Sequence, residues 1–140
     1  MAANELAAVV LRQLVDLASG VISGMRPWLE ELDLSQPLAE LIWTVPPDGD
    51  PMPLRKLAAR LHCDPSNVTL LSAKLEERGL AERRPHPRDG RVRTLVLTDA
   101  GRDVRERMVE IATRRSPLAV LDEAEQRQLH EMFTKALAAR

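Results

Sequence analysis

The sequence predicts a mainly α fold with a small β-hairpin wing, and three observations predict it. Apolar residues recur at three- and four-residue steps along most of the chain, which is the helical period. Two such patterns, Pro53 to Leu61 and Pro65 to Arg78, are split by His62-Cys63-Asp64, room for a turn and nothing more. Leu80 to Arg84 and Val92 to Leu97 read as two strands folded about Asp89-Gly90. Helix, turn, helix and hairpin in that order make a winged helix-turn-helix module, set here between helices at either end of the chain.

Length and composition fit this class. At 140 residues the chain is expected to be a single domain with one core, and 44% hydrophobic against 29% charged residues argues against disorder. The expected organisation is a DNA-binding module over 35–98, with dimerisation helices over 1–30 and 99–140. Cys63 is the only cysteine, so no internal disulfide forms and a reducing, cytoplasmic location is expected. Met1 to Val21 lacks a basic leader and is interrupted by Asn4, Glu5, Arg12, Gln13 and Asp16, which predicts neither a signal peptide nor a membrane span.

Each element has its own signal. Leu6, Val9, Val10, Leu14, Leu17 and Val21 form the stripe of a first helix, whose end Gly20 and Gly24 are expected to loosen. Ser35 is the expected N-cap of a second helix through Leu38, Leu41, Ile42 and Val45. Pro46 to Pro51 reads as an exposed loop. In the module, Asp64 is expected to cap the second helix and Pro65 to open it where a missing N–H costs nothing. Gly79 ends that helix. Beyond the hairpin, Thr98 caps a helix carrying Val104, Met108 and Ile111, and Ser116-Pro117 breaks it. Asp122 with Glu125 opens the last helix, along which Leu129, Met132, Phe133, Ala136 and Leu137 recur. Stripes at both chain ends are more than a minimal DNA module needs. A symmetric homodimer is the economical way to cover them, and its two-fold axis would present two reading helices to a palindromic site.

Charge is distributed unevenly. From Arg55 to Arg93 there are ten Lys and Arg against five Asp and Glu, whereas the whole chain is at −1. A basic module in an acidic body suits binding to nucleic acid through one face. Val68, Leu71 and Leu75 should face the core, which leaves Ser66, Asn67, Thr69, Leu70, Ala73 and Lys74 on the outer face of the second module helix. Short polar groups near a helix start are what base edges in a major groove require, while Lys74, Arg55, Lys56 and Arg60 are better placed for phosphates. The hairpin carries Arg83, Arg84, Arg88, Arg91 and Arg93, more cations than edge protection needs and suited to phosphates or a narrow minor groove. Asp89 is expected either to hold the Arg91 guanidinium or to bond its own turn backbone, and the two roles are compatible.

Leu54-x-x-Leu57-Ala58, Pro65-Ser66-x-Val68-Thr69, Leu75-Glu76-x-x-Gly79-Leu80, Arg84, Asp89-Gly90-Arg91 and Leu97-Thr98-x-x-Gly101 together resemble the MarR family of bacterial winged helix-turn-helix regulators. The resemblance implies an obligate homodimer whose end helices interlock. It implies repression, less often activation, of neighbouring genes, with DNA affinity altered by a small molecule or an oxidant. It also implies a ligand cleft, for which Met25, Trp28, Leu41, Trp43 and His62 are the candidates in this chain. Two departures stand out. Leu70 occupies a position that is commonly basic in the family and cannot make a bidentate guanine contact. No cysteine lies in the first helix, and Cys63 is expected to be a small buried filler.

No catalytic constellation is present. His62, His86 and His130 stand apart from one another and from the cysteine, without zinc-ligand spacing, so no enzyme activity, metal or cofactor is expected. The expected partners are double-stranded DNA, a second copy of the chain and a small-molecule effector, with no membrane. Two alternatives stay open: a winged-helix module that docks a protein through the same basic face, and a redox regulator that uses Cys63.

Overall fold

The computed structural model describes residues 1–140, folded as two compact units. One comprises Met1–Gly24 with Ala112–Arg140; the other is Met25–Ile111 and contains the whole 35–98 module.

The first helix, α1, runs over Ala3–Glu31, well past the glycines expected to end it. Gly20, Gly24 and even Pro27 lie inside it. Each glycine costs about 1 kcal/mol of helix propensity, too little to stop a helix already nucleated on both sides, and Pro27 removes one bond without a break. By length and composition alone α1 is also long and apolar enough to cross a membrane, which its charged interruptions argued against. It ends at Asp33 in the left-handed region (φ 53°), with the Leu34 N–H returning to the Leu29 carbonyl at 2.9 Å. Ser35 then caps α2 (Gln36–Thr44) as expected, accepting from the Leu38 N–H, and the helix stops before Pro46.

A two-residue strand, β1 (Met52–Pro53), follows the loop and precedes α3 (Leu54–Leu61). The sequence gives no signal for β1. Its existence rests on pairing with β3 (Arg93–Leu97), Met52 opposite Leu95 and Pro53 opposite Thr94. On its other side β3 pairs antiparallel with β2 (Ala81–Pro85), so the sheet order is β1-β3-β2. Between α3 and β2 lies α4 (Pro65–Glu77), closed by Gly79 at φ +70°. The Leu80 N–H reaches the Leu75 carbonyl and the Gly79 N–H the Glu76 carbonyl, each at 2.9 Å, a Schellman closure that turns the chain straight into β2. Leu41, Ile42, Val45, Leu57, Val68, Leu75, Leu95 and Met108 are fully buried and form the core of this unit.

After β3 comes α5 (Asp99–Arg115), whose cap Thr98 accepts from the Gly101 N–H and donates to the Gly79 carbonyl. The helix breaks at Ser116 into a short 3-10 turn, Pro117–Val120. The last helix, α6 (Glu123–Ala138), opens on a complete capping box between Asp122 and Glu125. The unit of Met1–Gly24 with Ala112–Arg140 buries no side chain of its own. Leu6, Val9, Leu14 and Val21 of α1 and Met132, Phe133 and Leu137 of α6 are each at least 40% exposed. These large apolar side chains leave both helices with an uncovered apolar face.

Candidate nucleic-acid interface

The candidate face is built on α4. Asp64 stands at the N-cap position, but its carboxylate caps nothing; the opening amides of Asn67 and Val68 bond the Asp64 carbonyl at 3.0 and 3.3 Å. The expected side-chain cap is therefore corrected to a backbone one, and the carboxylate stays exposed. Val68, Leu71 and Leu75 face the core, joined by Ser72, whose buried hydroxyl has no partner. Ser66, Asn67, Thr69, Leu70 and Lys74 are all exposed, as are Arg55 and Lys56 near the start of α3. The Thr69 hydroxyl donates to the Pro65 carbonyl at 3.1 Å, which leaves its lone pairs as acceptors toward solvent. Leu70, at 55% exposure, offers only an apolar surface.

The wing departs from the sequence expectation at its tip. Gly90 and Asp89 both avoid positive φ, so this is not the two-residue primed turn that Asp-Gly favours. The loop His86–Val92 is instead shaped by side chains. Asp89 accepts from the Arg91 N–H at 3.1 Å and from the Arg91 guanidinium at 3.3 Å, filling both of its expected roles at once. His86 Nδ1 accepts from the Arg88 N–H at 3.0 Å, and the His86 N–H closes the loop on the Val92 carbonyl at 2.8 Å. Deeper in the sheet, the buried Thr94 hydroxyl donates to the Arg84 carbonyl at 2.8 Å.

The wing arginines are not equivalent. Arg84 lies along Glu82 on the same strand, and Arg91 points out with 93% of its side chain exposed while Asp89 steadies its base. Arg88 and Arg93 form no ion pair. Arg83 is held from two directions by Glu76: Nε at 3.1 Å from Oε1, Nη2 at 3.2 Å from Oε2, and the Arg83 N–H at 2.6 Å from Oε1. The bonded Arg83 guanidinium keeps the Glu76 carboxyl below its ordinary value; partial burial opposes this, and the Arg83 amide and the charge of Arg93 reinforce it. Between α4 and the wing lies a polar hollow of about 440 Å³ lined by Leu54, Thr69, Glu76, Arg83 and Arg93. Glu76 was no site candidate in the sequence. An acidic residue in the last helical turn, followed by a glycine stop and an arginine on the next strand, was the signal available.

The five ligand candidates are placed differently. Trp28 and Leu41 are core residues, Met25 is half-buried, and Trp43 is 42% exposed. His62 forms the left-handed C-cap of α3 (φ 53°) and, alone of the five, lines the open hollow of about 580 Å³ beside the turn with Cys63, Asp64 and Asn67. Cys63 is half-buried in that hollow rather than a buried filler.

Comparison with known proteins agrees with this architecture. Residues 48–92 match the model of the MarR family. The HTH-type transcriptional repressor IacR of Pseudomonas putida is 28% identical over 87 residues, covering 62% of this chain and 52% of that protein. The chain thus spans about half the length of that curated relative. AbsC, a MarR family transcriptional regulator from Streptomyces coelicolor, superposes with a TM-score of 0.72 at 18% identity, over 100% of this chain and 98% of AbsC. CouR from Rhodococcus jostii RHA1, bound to p-coumaroyl-CoA, superposes with a TM-score of 0.73 at 23% identity, over 89% and 88% of the two chains. At these identities the two structures establish the shared winged-helix fold.

Proposed function

We propose, from the match of residues 48–92 to the MarR family model, that this chain is a non-enzymatic transcriptional regulator of that family, a repressor, that binds double-stranded DNA in the cytoplasm. One observation carries the reading. An exposed polar helix start, Ser66, Asn67 and Thr69, stands beside a wing whose Arg91 is steadied at 3.3 Å by Asp89. Short side chains at a helix start fit base edges in a major groove, and an arginine held at its base but exposed at its tip fits the backbone or minor groove alongside. Leu70 contributes contact with a thymine methyl. Lys74, Arg55, Lys56, Arg84, Arg88 and Arg93 add the sequence-independent attraction to phosphates.

The functional particle is a homodimer on a palindromic operator. The apolar faces of α1 and α6 support this, because nothing in their own unit buries them. A small molecule sets DNA affinity, and Met25, Trp28, Leu41, Trp43 and His62 remain the residues proposed to respond to it. CouR, of the same fold, is bound to p-coumaroyl-CoA, which supports a ligand-responsive reading without naming this chain's ligand.

The test is footprinting and gel shift on the DNA upstream of the protein's own gene, against random duplex at near-physiological salt. A protected two-fold symmetric site is the expected result. Equal affinity for operator and random duplex would overturn the reading and favour a module that docks a protein through its basic face.

A further inference from the structure

We infer that Glu76, an acidic residue on the reading helix, positions the wing for DNA by holding Arg83, and that Arg93 rather than Arg83 takes a backbone phosphate in the hollow beside it. The inference rests on the DNA-binding reading and deepens it.

Glu76 and Arg83 bridge the two parts of the reading head. Glu76 lies on the last turn of α4 and Arg83 on β2, and their guanidinium–carboxylate contact is two-pronged, with the Arg83 backbone amide as a third donor. A bidentate pair fixes direction as well as distance, so it sets the angle between helix and strand. The backbone bond matters most for position, since it ties the strand itself and not only a flexible side chain. The Nε and Nη2 edge of Arg83 is spent on Glu76, whose carboxylate also neutralises its charge, so only Nη1 is left toward a phosphate. Arg93 lines the same hollow without an ion pair, as does the exposed Thr69. The hollow of about 440 Å³ opens between the helix expected to enter the groove and the wing expected to follow the backbone. Its net charge is that of one free cation, because Glu76 and Arg83 cancel.

Charge alone and position predict opposite outcomes for Glu76. A carboxylate on a face that meets phosphates repels them, so by charge alone its removal tightens DNA binding. If Glu76 positions the wing, its removal weakens binding, because the arginines beyond Pro85 are then presented at a loosened angle.

Operator affinity and its salt dependence, measured for Glu76→Ala, Glu76→Gln, Arg83→Gln, Arg93→Gln and the Glu76→Ala/Arg83→Gln double variant, separate these. Glu76→Ala is expected to lose about tenfold in affinity. Glu76→Gln, which keeps an acceptor for the Arg83 amide, is expected to recover part of it. The double variant is expected to be no worse than its worse parent, since both act through one contact. Arg93→Gln is expected to lower the salt slope by about one unit and Arg83→Gln to leave the slope unchanged. In the free protein, amide exchange at Arg83 is expected to accelerate in Glu76→Ala. If that variant does not fold, Arg83→Gln alone decides, through its affinity and slope. Operator binding by Glu76→Ala as tight as or tighter than the parent overturns the role of Glu76 alone. A parent protein that does not prefer its operator overturns the DNA reading and this inference together.

Discussion

Gly101 lies flush against the carbonyl of Leu80: a Cβ built on Gly101 falls 1.9 Å from that oxygen. This contact seats the start of α5 on the turn between α4 and β2, with Thr98 bonded to the Gly79 carbonyl at 2.6 Å beside it. The obstacle is backbone, which cannot swing aside as a side chain would. Gly101→Ala is therefore expected to cost about 3 kcal/mol, at the upper end of overpacking effects, read as a lowered denaturant midpoint.

Arg91 is exposed and held only at its base, so its loss should leave the fold alone. Arg91→Ala is expected to weaken operator and random DNA nearly equally and to reduce the salt slope by about one unit. An Arg91→Ala protein with unchanged affinity and slope would remove the wing tip from the interface.

Ser66 and Asn67 predict the reverse pattern. Alanine at either should cost about 1–3 kcal/mol of discrimination at one base pair and leave non-specific binding intact. Selection of binding sites from a random pool, with parent and variant in parallel, reads this directly. Leu70→Arg should create a new guanine preference at the position Leu70 faces.

The two aspartate N-caps differ in a measurable way. Asp122 makes a reciprocal box with Glu125, both bonds at 2.9 Å, whereas Asp64 makes no side-chain cap bond. Asp122→Ala should cost about 1 kcal/mol, and Asp64→Ala less than about 0.5 kcal/mol. Chemical denaturation of the two variants side by side checks the contrast.

The lowered pKa of Glu76 gives a pH signature. A carboxylate whose folded pKa lies below its unfolded one stabilises the protein above the unfolded value, and that contribution fades as pH falls through the folded value. The stability difference between the parent and Glu76→Gln should be flat above about pH 5 and shrink below it. A difference that grows on acidification would contradict the pairing with Arg83.

Much of the fold was legible in the sequence because it is written in local signals. Ser35, Thr98 and Asp122 cap the helices they were expected to cap, and Gly79 and Pro117 stand where helices stop. What escaped is decided by contacts between segments. Met52–Pro53 is a strand only because β3 runs beside it. Asp89-Gly90 suggested a two-residue turn, but the Asp89 and His86 side chains organise a longer loop. The first helix runs through Pro27 because one lost bond is small against a helix of 29 residues. In the candidate site, the exposed residues of α4 were visible from helical periodicity. The tie of Arg83 to Glu76 was not, since it depends on how sharply the chain turns at Gly79.

That turn also bears on the order in which the protein assembles. α3 packs on α4, α4 on β2, and β2 on β3, each element on its immediate successor in the chain. Contacts so close in sequence close small loops and form early. The module of α3, α4, β2 and β3 is therefore expected to take shape as a contiguous segment during synthesis, while the apolar faces of α1 and α6 stay uncovered within the chain. Refolding is expected to show a fast, concentration-independent phase from that module, and the proposed homodimer is expected to add a later phase that quickens as chains accumulate.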